Sequence, residues 1–130
     1  MKLLLPFLLA FGLYAHDAKG KSHAPASAKT LKSPLTAAQA KAELGKPLYL
    51  QHCGSCHGED GSAKTNSMPK LKKAAPVLND HHTASLKDGE IYWVITNGVS
   101  PAMPAFKTQL TDVQRWQIVL FVRSLATPHH

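Results

Sequence analysis

Two thiols and an imidazole stand together in Cys53-Gly54-Ser55-Cys56-His57, which contains both cysteines of the 130-residue chain. A C-x-x-C-H run is the pattern for covalent haem attachment. The spacing has a chemical reason. Two thiols about one helical turn apart straddle a porphyrin edge and add to its two vinyl groups as thioethers, and the next residue reaches the iron. His57 would supply a nitrogen ligand on one axial face. Two other readings stay open at this point. A disulfide or thiol-redox pair of the C-x-x-C kind would sit beside a βαβ pattern, which the chain does not display. A structural zinc site would need a more distant second pair of ligands, and neighbouring Cys56 and His57 point in directions that do not easily share one tetrahedral ion.

Pro101-Ala102-Met103-Pro104-Ala105-Phe106 is the second chemical constellation, with Met103 placed 46 residues after His57. Methionine sulfur is a soft, uncharged ligand, and His/Met ligation raises the potential of a c-type haem. The two prolines fix φ on either side of Ala102 and Met103, so the sulfur can be aimed before any bond forms. Off the iron, Met103 would be core filling. Met68, eleven residues after His57, is a rival sulfur, and His81 with His82 offers bis-histidine ligation instead. His16, His23, His129 and His130 lie in tails.

The elements that must position these groups read as helical, with no strand alternation and no internal repeat. Met1-Lys2 and the apolar run Leu3–Ala15 describe a secretory signal peptide over residues 1–15, with cleavage possible as late as Ala18. The run is too short to span a bilayer. Residues 16–35 are rich in Lys, Ala, Ser, Pro and His and bury too little to offset ordering entropy, so they read as a flexible basic leader. Residues 36–130 remain for one domain, small enough that a covalent or metal staple is expected.

Within that domain a first helix is expected from near Glu43 into His52, with Leu44, Leu48 and Tyr49 as its apolar stripe and Pro47 in its first turn or at a bend. A second runs from Ser85 or Asp88 to Asn97 and ends at Gly98. The last begins at a capping box, Thr111 with Gln114, and carries apolar residues round most of its circumference.

With an export signal, the attachment motif and a terminal helix in this order, the chain resembles the class I monohaem cytochromes c over roughly residues 44–125. The resemblance implies an all-α fold, about three main helices and loops wrapped around one covalent haem c. It implies Cys53 and Cys56 as thioether residues, His57 as proximal ligand and Met103 as distal ligand. Pro76 matches the family's proline whose carbonyl accepts a hydrogen bond from the ligand histidine. Gly45 and Tyr49 match the small and aromatic positions of the first helix, and Phe121 with Ile118 matches the facing side of the terminal helix.

The implied function is one-electron transfer in the periplasm, with no catalysis beyond that exchange. Partners would be a redox donor and acceptor with acidic docking surfaces, steered by Lys64, Lys70, Lys72, Lys73 and Lys107. Membrane contact would come only through partners or an uncleaved signal segment. Nucleic-acid binding is disfavoured despite the formal net charge of +7, because much of that charge lies in the signal and leader. From Thr36 onward ten Lys and Arg face seven Asp and Glu, a balance of +3. Two alternatives belong to other classes: an electron-entry subunit of a larger periplasmic redox enzyme, and a five-coordinate haem sensor or peroxidase-like protein.

Overall fold

Thr111 and Gln114 cap each other at the start of the longest helix. Gln114 N donates to Thr111 Oγ1 at 3.2 Å, and Thr111 N donates to Gln114 Oε1 at 2.9 Å. Such a box satisfies two of the orphan donors of a helix start and contributes about 1 kcal/mol. This helix belongs to an all-α fold seen in a computed structural model, which describes residues 22–64 and 75–126. The expected signal segment, His16, Met68, Lys70, Lys72, Lys73, His129 and His130 lie outside the described residues.

The helices are α1 (Ala42–His52), α2 (Gly54–His57), α3 (His81–Ser85), α4 (Asp88–Asn97) and α5 (Asp112–Ala126). Helix α5 packs against α1, α3 and α4. It buries Trp116, Ile118, Val119, Phe121 and Val122, which explains its broad apolar circumference. The three long helices match the expected ones, and α2 and α3 are short additions to them.

The crossing of α1 and α5 is set by Gly45. A Cβ there would lie 2.0 Å from Gln117 O and 2.6 Å from Gln117 C, so the two backbones touch. One turn on, the fully buried Tyr49 packs its ring 5.0 Å from that of Phe121, tilted by 55°. Both sides of this crossing stand as the resemblance implies.

Three expectations about local structure change. Leu44 is 41 % exposed, because the contact centres on Gly45 and turns the neighbouring residue outward. Pro47 lies inside α1, past its first turn. Position 47 has no N–H for the Glu43 carbonyl, but both residues face solvent, where water can satisfy that oxygen. The third change concerns residues 22–35, expected to be flexible. Ala26–Thr30 forms a 3₁₀ helix whose Ala28 is 1 % exposed. It lies on α4 at Gly89, where a Cβ would come within 2.0 Å of Ala28 O and 2.8 Å of Leu31 Cβ. Composition does not reveal this order, since an alanine and a glycine in close contact leave no apolar signal.

Candidate functional site

Helix α1 hands over to the C-x-x-C-H motif without a loop. Cys53 N donates to Tyr49 O at 2.7 Å, and His57 N then donates to Cys53 O at 2.9 Å across the single turn of α2. Cys53 is buried and Cys56 half-buried, and both are free thiols. The turn is held from below by Tyr49, whose hydroxyl donates to Gly58 O at 2.7 Å. Burial, and then the charges of Cys53 and Asp60, keep that phenol neutral.

His57 Nδ1 lies 2.9 Å from Pro76 O. A carbonyl only accepts, so the proton sits on Nδ1 and the lone pair on Nε2. Burial lowers the pKa of His57, and the bond to Pro76 only partly opposes it. The ring is thereby kept in the neutral form that ligates metals. Pro76 is itself anchored by bonds that join the two ends of the stretch between them. Leu78 N donates to Gly61 O at 2.7 Å and Asn79 Nδ2 to Asp60 O at 3.1 Å, while on the near side Ala63 N donates to His57 O at 2.7 Å. Gly61 adopts φ +77°. Asp60 accepts from Ser62 N at 2.9 Å, and bonds from the Ser62 side chain, then from that N–H, hold its carboxyl below the usual range.

The competing readings of the motif fare poorly in this setting. Burial, and then the charge of Cys56, push the Cys53 thiol up to about 12, whereas reactive thiol pairs need a lowered value. Among the described residues no three His, Cys, Asp or Glu side chains come together as a metal shell, so zinc finds no further ligands there. The donor set fits a covalently held haem better: two unpaired thiols one turn apart and a neutral imidazole with Nε2 free.

Met103 packs against the core cluster that contains Cys53 and Phe106. Its segment is tied down on several sides. Val99 and Met103 exchange backbone bonds of 2.9 and 2.8 Å, Phe106 N donates to Ile95 O at 3.0 Å, and Lys107 N donates to Thr96 O at 3.2 Å. Gly98, at φ +70°, has no room for a side chain, since a Cβ would lie 2.5 Å from Met103 O and 2.7 Å from Ala105 N. Phe106 presents against His52 edge to face, with centroids 5.7 Å apart. The loop that carries Met103 thus meets the end of α1, next to the attachment motif. His81 and His82 are exposed on α3, as are Lys64 and Lys107 in their loops.

Two arginines of α5 were not anticipated from the sequence. Arg123 pairs with Asp88 at 2.5 Å and donates to the carbonyls of Thr83 (3.3 Å), Ala84 (3.1 Å) and Leu86, joining α5 to the α3–α4 connection. Arg115 is buried and donates to Lys107 O and Leu110 O, both at 3.0 Å. The available signal was two arginines flanking the apolar run of α5, since arginine is seldom buried unless paired.

A family model described as "Cytochrome C oxidase, cbb3-type, subunit III" matches residues 40–122. The chain is 35 % identical over 83 residues to cytochrome c6 of Leptolyngbya boryana, covering 64 % of this chain and 91 % of that protein. It is 28 % identical over 116 residues to quinohemoprotein alcohol dehydrogenase ADH IIB of Pseudomonas putida, covering 86 % of this chain but spanning only 16 % of that relative's length. Among solved structures it is similar to the KustC0563 c-type cytochrome. There the identity is 31 %, the TM-score 0.53, and the match covers 62 % of this chain and 95 % of the other.

Proposed function

The chain belongs to the cytochrome c family, a family of haem-based electron transfer, and from that premise we propose that it is an exported one-electron carrier with His/Met axial ligation. Cys53 and Cys56 would hold one haem c covalently, and His57 and Met103 would be the residues that ligate its iron. When bound, the haem supplies an iron that cycles between two oxidation states. The protein's part is to fix both ligands and to deny the iron an open position. Pro76 keeps the His57 ring in one tautomer and orientation. The prolines at 101 and 104 and the bonds between Val99 and Met103 hold the thioether segment in place before ligation. The observation that carries the reading is the His57–Pro76 bond, because it leaves Nε2 as the free nitrogen in a half-buried setting.

The apolar start of the chain supports export to the periplasm. The basic residues Lys64 and Lys107, exposed in their loops, support docking to acidic redox partners, with on-rates that fall as salt rises. A second reading, a domain serving as the electron port of a larger redox complex, is favoured by the match to one short part of a quinohaemoprotein dehydrogenase. Native mass of the purified protein separates the two, since a carrier runs alone.

The ligand assignment is tested by absorption spectra of the exported protein in both oxidation states, with and without carbon monoxide. A six-coordinate spectrum indifferent to the gas is expected. Met103→Ala should bind the gas promptly and lower the reduction potential, and an unchanged spectrum in that variant would remove Met103 from the iron.

A further inference from the structure

Arg115 is 7 % exposed, yet its Nε has no partner among the described residues. A buried cation with an unpaired donor is costly, and a well-packed apolar side chain of similar volume is often as stable or better. Fold stability alone therefore gives a weak account of an arginine at this position. What the guanidinium touches is more specific. Nη1 donates to the carbonyls of Lys107 and Leu110, and Nη2 donates to Tyr92 Oη at 3.0 Å and lies 3.5 Å from Asp112 Oδ1. Tyr92 in turn donates to Asp112 and stacks on Trp116 with centroids 4.2 Å apart, so the fork is mounted on α4 and α5 together.

The two carbonyls belong to the segment that leaves Met103. At its entry the segment rests backbone to backbone on Gly98, with no space to shift inward. Phe106 and Lys107 then bond to the last carbonyls of α4. Three residues separate Met103 from Lys107, and of these Phe106 is buried and tied to Ile95. The carbonyls that Arg115 holds therefore fix the far end of the same segment that Met103 begins.

We propose that Arg115 is a positioning residue for the thioether ligand, latching residues 107–110 so that Met103 is presented to the iron at a set distance. The inference rests on Met103 being the distal ligand. Its consequence is that ligation strength depends on a side chain whose bonds go to Lys107, Leu110, Tyr92 and Asp112 and to neither Met103 nor His57.

The test uses the holoprotein with Arg115→Gln, Arg115→Lys, Tyr92→Phe and Met103→Ala compared side by side. Mass measurement and far-UV circular dichroism establish that haem is attached and the helices are formed. Carbon monoxide binding to the reduced protein and the reduction potential report ligation. Arg115→Gln should raise the fraction of gas-reactive protein by about tenfold, the scale of one charge-assisted hydrogen bond, and lower the potential. Arg115→Lys reaches fewer carbonyls than the fork and should fall between; it also carries the comparison if the Gln variant does not fold. Tyr92→Phe leaves both carbonyl bonds in place and should cost stability without gas reactivity. The inference is overturned if both Arg115 variants melt earlier but remain gas-inert at the native potential, while Met103→Ala reacts. Should Met103→Ala itself be inert, the ligand assignment and this inference fall together.

Discussion

Tyr49 shows how one side chain can serve both core and site. Its ring fills the α1–α5 crossing, and its hydroxyl holds the carbonyl of Gly58, the residue that follows His57. Tyr49→Phe keeps the ring and deletes the bond. Because Gly58 O also accepts from Gly61 N at 3.2 Å, the carbonyl is not left bare. The expected loss is about 1 kcal/mol in denaturant unfolding, with the absorption spectrum unchanged. At this scale the motif residues Cys53, Cys56 and His57 were legible because their chemistry demands fixed types at fixed spacing. Arg115 and Arg123 were not, because they bind backbone carbonyls, which every residue possesses and no pattern marks.

Among the elements, α5 announced itself through Thr111 and Gln114, whose capping is written in adjacent residues. Helix α4 likewise ended where Gly98 required it, though the need turned out to be twofold: a positive φ and contact with the Met103 backbone. Helix α3, five residues with no apolar period, left nothing to detect beyond its Asp80 cap, which accepts from Thr83 N at 2.9 Å. The face of α1 was misjudged for a related reason, since periodicity finds apolar residues but not the point of closest approach. Gly45 decides that point. Gly45→Ala gains up to about 1 kcal/mol in helix propensity but drives a methyl group into the backbone of Gln117, and overpacking of this kind costs about 1–3 kcal/mol. The clash should win, since a backbone atom inside a helix cannot yield by itself. Thermal unfolding should register a net loss of about 1 kcal/mol, a fall in Tm of roughly 5 °C for a domain of this size.

For the molecule as a whole, the domain begins earlier than composition indicated. Ala28 and Leu31 lie on α4 at Gly89, so residues 22–35 are part of the folded unit where a free leader was expected. Removing residues 1–35 should lower stability by about 1–2 kcal/mol, the worth of the small apolar surface uncovered. A melting curve identical to that of the full chain would show the packing to be inconsequential.

The bonds from Leu78 and Asn79 to Gly61 and Asp60 have a bearing of another kind. They tie the chain together two residues beyond Pro76, so the carbonyl that meets His57 sits just inside the knot and the imidazole just outside it. Lengthening a closed loop costs little, about 0.6 kcal/mol for each doubling. An insertion between Lys64 and Ala75 should therefore be tolerated as long as the knot on one side and the imidazole's bond to Pro76 on the other stay tied.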